Sequence, residues 1–215
     1  LDSGDEWDFD KLKLQVDYLN STKEVGLVGT QVRFSIESGK IVRYSSYPTS
    51  FNTIREKCCN NIGLFSHSSI LFRFNSDIFY KNLYYYSQDL DLYLQFISNN
   101  IVITNMEKTL CTVLFTSNSI SIKKKPLQLK CISRAIKNYK LRIKNELEDN
   151  KKLSTNLYDK LMWKIAEKTY LNYVILSSTK KLYARFLLLI SLFIYPPLIS
   201  LYLPRIKYKI KNYLN

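Results

Sequence analysis

The residues best suited to chemistry lie in the run Ser87-Gln88-Asp89-Leu90-Asp91-Leu92-Tyr93-Leu94-Gln95-Phe96. Leu90, Tyr93, Leu94 and Ile97 recur at i, i+3, i+4 and i+7, the spacing of an amphipathic helix. Ser87 stands where an N-cap would stand, which puts Asp89 in the first turn. There the free backbone N–H groups and the positive end of the helix hold a carboxylate. A fixed carboxylate at the mouth of an element is how a general base is presented to a hydroxyl. It is also how a helix start is stabilised, and the ten residues alone leave both readings open. Asp2 and Asp5, in Leu1-Asp2-Ser3-Gly4-Asp5-Glu6-Trp7, are close enough to converge on a cation or a ribose hydroxyl, or to cap the helix that follows. His67, the single histidine, lies in Phe65-Ser66-His67-Ser68-Ser69-Ile70-Leu71-Phe72-Arg73-Phe74. Substrate contact, orientation of a loop and a hydrogen-bonded structural role are all open to it.

These residues need elements to position them. Leu12, Val16 and Leu19 predict a helix over 9–20. Val25-Gly26-Leu27-Val28-Gly29-Thr30 reads as the start of a buried strand, and Val32, Phe34 and Ile36 alternating with Gln31, Arg33 and Ser35 as its half-buried continuation. Ser38-Gly39 is a turn, with 41–44 pairing back as a hairpin. A short helix over 50–60 and a strand over 65–74 follow. Tyr84, Tyr85 and Tyr86 offer aromatic faces for a sugar ring, or for packing. Residues 101–104 and 109–115 read as two apolar strands. Residues 126–150 carry a helical stripe of Leu129, Ile132, Ala135, Ile136, Tyr139 and Ile143. Residues 155–176 carry another with Leu157, Leu161, Ile165 and Tyr170. Gly26 and Gly29 do not form a phosphate loop, which needs G-x-G-x-x-G ahead of a helix.

The net charge of +14 over 215 residues is unevenly spread. Residues 1–121 hold 11 Lys and Arg against 13 Asp and Glu; residues 122–215 hold 21 against 5. A near-neutral half is thus joined to a basic half that meets something anionic. Inside the basic half, 186–203 is free of charge but broken by Pro196-Pro197, with Lys180, Lys181 and Arg185 before it and Arg205, Lys207, Lys209 and Lys211 after it. The expectation is an anchor lying on an anionic membrane face; a short span, a re-entrant hairpin and packing on another part of the protein are the alternatives. A lipid-sized apolar block argues against nucleic acid as the partner. Cys58, Cys59, Cys111 and Cys131 lack metal-site spacing, so free thiols in a reducing cytosol are expected. The chain opens on Leu1 with residues that read as the end of a strand, so a preceding segment is expected.

Taken in order, the segments of 1–121 resemble the family 2 glycosyltransferases. S-Q-D-L-D-L-Y-L-Q is similar to the family's E-D-x-D-L-W-L-R, whose first Asp deprotonates the acceptor; Asp89 matches it, with Gln88, Tyr93 and Gln95 in place of Glu, Trp and Arg. L-D-S-G-D-E-W is similar to L-D-x-D-D, whose acids hold the donor ribose and its metal. Asp2 matches the first, Asp5 the last, and Gly4 stands for the middle one. His67 to Arg73 resembles H-x-S-V-M-F-R. The family's Y-R-x-H falls on Val113, Leu114 and Thr116, followed by a family-like Asn118-Ser119-Ile120-Ser121.

The resemblance implies an α/β protein: a partial nucleotide-diphospho-sugar transferase fold, a mixed sheet with flanking helices, followed by an α-helical tail. Residues 1–121 would be the C-terminal part of the catalytic domain and 122–215 a basic helical region with a membrane-associating segment at 186–203. The activity implied is inverting transfer of a sugar from a nucleotide-sugar donor to a glycan or lipid-linked acceptor in bacterial surface polysaccharide synthesis. Asp89 would be catalytic, Asp2 and Asp5 donor-binding, and His67 and Gln88 acceptor-binding. A divalent cation, Mg or Mn, would have Asp2 as its ligand, with Gly4 in place of a usual Asp. The protein would sit on the cytoplasmic face of the cell membrane. Departures at Gly4, Gln95, Leu114 and Thr116 give the alternative, a catalytically degenerate membrane-associated binding or scaffold module.

Overall fold

The run Val25-Gly26-Leu27-Val28 has no polar side chain to turn toward water, and it becomes the centre of the sheet. The computed structural model describes residues 4–60, 63–116, 119–177 and 179–214. Its strands are β1 (Glu6–Trp7), β2 (Val25–Ser35), β3 (Ile41–Tyr44), β4 (Leu71–Phe72) and β5 (Val102–Leu114). Its helices are α1 (Lys11–Ser21), α2 (Phe51–Cys59), α3 (Gln88–Ser98), α4 (Ile120–Lys123), α5 (Lys125–Arg142), α6 (Leu157–Leu176), α7 (Lys181–Ile194) and α8 (Ile199–Leu214). Short 3-10 turns lie at His67–Ser69, Asn82–Tyr84 and Pro196–Leu198.

Among the described residues the strands form one mixed sheet, β1-β5-β2-β3, with β4 also against β2. β2 and β5 run parallel; β1, β3 and β4 are antiparallel to their neighbours. β4 pairs with Leu27 and Val28, and β3 with Arg33 to Ser35, so the two share one edge of β2. The long crossover from β2 to β5 carries α2 and α3, as a parallel pair requires. This is an α/β arrangement.

Burial along β2 departs from the expected alternation. Gln31 and Ser35 are buried beside Val32, because both faces of the strand are covered. Gln31 is satisfied there: its Oε1 accepts from Ser45 Oγ and Tyr47 N, and its Nε2 donates to Tyr47 O at 3.0 Å. Gly29 is required by close approach, since a Cβ would fall on Asn105 Oδ1 and 2.6 Å from Phe65 Cδ1. The two strands expected at 101–104 and 109–115 are one strand, β5. Its register slips between Gly29↔Asn105 and Gln31↔Thr109, so the exposed Glu107 and Lys108 swell the strand without ending it. The strand expected over 65–74 shrinks to β4. Ser69 N and Ser69 Oγ both bond Ser66 O, and this local bonding turns the chain at His67–Ser69.

The helix expected over 126–150 stops at Arg142. Asn145 adopts φ 57°, and Glu146 N reaches back to Leu141 O at 2.9 Å, a left-handed cap that ends the helix. The chain then doubles back: Asp149 pairs with Arg134 and Lys137, and Glu148 with Lys81. α6 begins at Asn156, whose side chain accepts from Asp159 N at 2.7 Å. Its buried face matches the expected stripe at Tyr170 alone: Tyr170 is buried with Asp159, Trp163 and Ala166, while Leu157, Leu161 and Ile165 are exposed.

One core gathers Leu27, Tyr84, Leu92, Leu94, Phe96 and Ile103; a second gathers Ile122, Leu129, Trp163, Tyr170, Tyr195 and Leu198. α5 contributes Ala135 and Tyr139 to the first and Leu129 to the second. The apolar stretch at 186–203 breaks into α7, a 3-10 turn and α8. Tyr195, ahead of Pro196, has left the helical region with φ −128° and ψ 81°, since a residue before proline is pushed out of that region. Among the described residues no helix is long and apolar enough to cross a membrane.

Candidate functional site

Asp89 opens α3 as its spacing implied. Ser87 occupies the N-cap position but makes no side-chain cap bond; instead Asp89 Oδ1 accepts from Leu90 N at 2.8 Å. α3 is fixed from beneath by Asp91, whose carboxylate is fully buried. Asp91 Oδ1 accepts from Arg142 at 2.7 Å and Oδ2 from Gln95 Nε2 at 2.8 Å. Burial raises the Asp91 carboxyl above its ordinary value, against the pull of Arg142, Gln95 and Lys81. Arg142 Nε also lies 2.9 Å from Glu148 Oε1, an ion pair whose geometry leaves that N–H without a hydrogen-bond acceptor. Gln95 thus has a structural duty, completed by its amide bonds to Phe79 O and N.

A cavity of about 240 Å³ opens at the start of α3. Ser87, Asp89 and Tyr93 line it from the sheet side, and Lys125, Gln128 and Arg205 from the basic helices. His67 stands behind this wall. Its Nδ1 is 3.1 Å from Tyr93 Oη and its Nε2 is 3.1 Å from Tyr80 Oη. A neutral imidazole accepts at one nitrogen and donates at the other, so one of the two hydroxyls keeps its own proton free to donate elsewhere. Burial, and after it the charge of Asp89, pushes the Tyr93 hydroxyl well above its usual value and raises Tyr80 in the same way. Both are therefore neutral phenols close enough to the Asp89 carboxylate to feel its charge.

Asp5 reaches this network through the turn that bears His67. Its Oδ2 accepts from Ser68 Oγ, and its Oδ1 accepts from Leu114 N at 2.9 Å. Trp7 Nε1 donates to Ser68 O at 2.6 Å. Gly4 lies beside it with φ +89°, and a Cβ there would come 2.6 Å from Leu114 Cδ2. Two of the departures noted in the sequence are therefore neighbours, with Leu114 occupying the space a side chain at position 4 would need.

Of the expected site residues, the structure brings Asp89 to a cavity and links Asp5 to the neighbouring turn. Gln88, the first residue of α3, is half-buried and is not among the described residues lining that cavity; neither is His67. Asp2 lies outside the described residues. Tyr84 is core, its hydroxyl accepting from Asn138 Nδ2 at 2.7 Å, so it offers no face to a sugar. Tyr85 is exposed and Tyr86 lies against Lys123, Lys124 and Trp163. Sequence reasoning missed Tyr80, Lys125, Gln128 and Arg205. The one signal available for Lys125 was a cation at the start of a helix, where the dipole disfavours it.

Among the described residues no three His, Cys, Asp or Glu side chains converge as metal ligands. Asp5 is the one described acid of the expected donor pair, and both of its oxygens already have protein partners. The described side chains alone do not fit a divalent cation. No family model matches the chain, and no curated protein matches it either, so residues and geometry carry the functional reading.

Proposed function

We propose that the chain is part of an inverting glycosyltransferase that moves a sugar from a nucleotide-sugar donor to a glycan or lipid-linked acceptor. The observation that carries this reading is Asp89, held in the first turn of α3 with its side chain on a cavity wall. One oxygen of Asp89 caps the helix through Leu90 N, which fixes the carboxylate. The acceptor hydroxyl gives its proton to that carboxylate as its oxygen attacks the anomeric carbon. The bond from that carbon to the donor phosphate breaks, and the nucleoside diphosphate leaves with the electron pair. In this reading Asp2 and Asp5 would bind the donor, and His67 and Gln88 the acceptor. The resemblance also implies a divalent cation, Mg or Mn, with Asp2 as ligand, at the donor's diphosphate.

Attachment to the cytoplasmic face of a membrane belongs to the same reading. α7 leaves Leu182, Phe186, Leu189 and Phe193 exposed, and α8 leaves Ile199, Leu203, Ile206 and Ile210 exposed. Each set repeats at i, i+4, i+7 and i+11, an apolar stripe flanked by lysine and arginine, as an interfacial helix requires.

A second reading, a degenerate glycosyltransferase-like module that binds glycan or a partner at the membrane, is favoured by one observation. Gly4 and Leu114 replace an acid and a cation of the family pattern, and Leu114 fills the space that a side chain at position 4 would need. One experiment separates the two. In the full-length protein, Asp89→Asn abolishes sugar transfer, by about 10²–10⁴-fold for loss of a general base, and leaves nucleotide-sugar binding intact. Unchanged turnover removes Asp89 as the base. A wild-type protein that binds glycan without transferring sugar supports the second reading.

A further inference from the structure

Lys125 is placed against three physical preferences at once. It is the first residue of α5, where the helix's positive end disfavours a cation. Its side chain is buried, with only 7% of the residue exposed. Arg205 from α8 lies on the same cavity wall and adds like-charge repulsion. Four other cations of α5 have acids: Lys130 pairs with Asp159 at 2.7 Å, Arg134 and Lys137 with Asp149 at 3.0 Å, and Arg142 with Asp91 at 2.7 Å; Lys140 is exposed to water. Lys125 has none among the described residues. Its Nζ donates to the neutral Gln128 Oε1 at 2.7 Å and lies 5.4 Å from the centre of the Tyr170 ring. An ammonium has three donors, and Gln128 takes one.

What would relieve burial, dipole and repulsion together is an anion. We propose that the cavity beside Asp89 is a phosphate subsite, in which Lys125 and Arg205 hold the oxyanion and Gln128, Ser87 and Ser121 line the remaining wall. At about 240 Å³ it is smaller than the roughly 300–1,000 Å³ of a whole-ligand cleft, the scale of one group on a larger molecule. Two cations suit the several oxygens of a phosphate. Asp89 is the one acid among the described residues lining the cavity, so the subsite has a cationic side and an anionic side. α8 turns Leu201 and Arg205 toward the cavity while Ile199, Leu203 and Ile206 stay exposed, which lets a phosphate on a lipid reach it from an apolar surface. That the phosphate belongs to the acceptor rests on the transferase reading; that the cavity binds phosphate does not.

Burial, and after it Arg205, brings the Lys125 ammonium down to about 7, so a bound anion recharges it and takes up a proton. The test is calorimetric titration of the full-length protein with inorganic phosphate above pH of about 7, in two buffers of different ionisation heat. The expected result is saturable binding with proton uptake. Lys125→Met should weaken it by about tenfold or more and abolish the uptake, Arg205→Met should weaken it, and Lys144→Met should change neither. Lys125→Met removes a buried unpaired charge, and a thermal melt at or above wild type shows it folded. A short-chain lipid phosphate and a nucleoside diphosphate are then compared. Tighter binding of the first makes the source a headgroup, tighter binding of the second makes it the donor, and either supports the subsite. No binding at millimolar phosphate, or equal binding by folded Lys125→Met, overturns it. The assay contains no sugar donor, so its outcome is independent of whether Asp89→Asn loses transfer.

Discussion

Replacing Arg142 with methionine should do more damage than any other single change to a half-exposed or buried charge in this protein. The guanidinium is the main compensation for Asp91, to which it donates at 2.7 Å, and it is also paired with Glu148 at 2.9 Å. In Arg142→Met the fully buried Asp91 carboxylate keeps only Gln95 as a hydrogen-bond donor. Removing one partner of a buried pair costs about 3–5 kcal/mol. The arginine side chain is 18% exposed, so water reaches its end of the pair and the lower figure applies, about 3 kcal/mol. At about 2–4 °C per kcal/mol for a chain of this size, the midpoint of thermal unfolding falls by about 6–12 °C. The loss depends on pH with a definite sign. The folded-state value of Asp91 is already raised, and without Arg142 it rises further. A raised carboxyl favours the fold at acidic pH and loses that contribution as pH increases through its folded value. Arg142→Met therefore approaches wild type in acid and separates from it toward neutrality. The double variant Asp91→Asn/Arg142→Met should recover part of the loss. Urea unfolding of the three variants at acidic and neutral pH measures all of this. A loss below about 1 kcal/mol, or one that does not shrink in acid, refutes the reasoning.

Lys125 and Lys11 are held down to about 7 and about 8, each chiefly by burial. Both are bound to fewer protons in the fold than in the unfolded chain, so wild-type stability should rise from about pH 7 toward the unfolded lysine value of about 10.4. Urea midpoints for Lys125→Met should show a flatter rise, with the Lys11 part remaining above about pH 8. Gly4→Ala combines a left-handed φ of +89° with a collision against Leu114, and should lose about 1–2 kcal/mol in the same assay. Gly4→Ala/Leu114→Ala should relieve the collision but not the backbone cost. Leu189→Asp and Phe193→Asp, on the exposed stripe of α7, should each weaken sedimentation with anionic vesicles by about tenfold, and added salt should weaken the wild type. Vesicle binding that ignores both substitutions would remove the membrane-facing role of this stripe.

Periodicity located α1, α3, β2 and the β2–β3 hairpin but not always the buried face: Leu12 and Val16 of α1, expected inside, are exposed, while Lys11 and Gln15 are buried beside Leu19. It failed where side chains bond to the backbone locally, as Ser66 to Ser69 do, and where exposed Glu107 and Lys108 bulge inside one long strand. It misplaced most of α6: Tyr170 is buried as expected, but Leu157, Leu161 and Ile165 are exposed and Trp163 takes the core role instead. Asp89 was legible because capping chemistry is local. The far wall of its cavity was not, because Lys125 and Arg205 arrive from helices distant in sequence and nothing local announces their burial. Asp91 carried one hint, a glutamine four residues on; its main partner, Arg142, lies on another helix.

α5 is common to both apolar cores, through Ala135 and Tyr139 on one side and Leu129 on the other. The near-neutral and basic parts of the chain consequently share a single spine. Heat or denaturant should take them apart in one transition, without a stage in which either has melted alone. Recombination that exchanged the basic tail at residue 121 would strip α3 of the helix packed against it, so a successful graft has to carry α5 and the ends it joins.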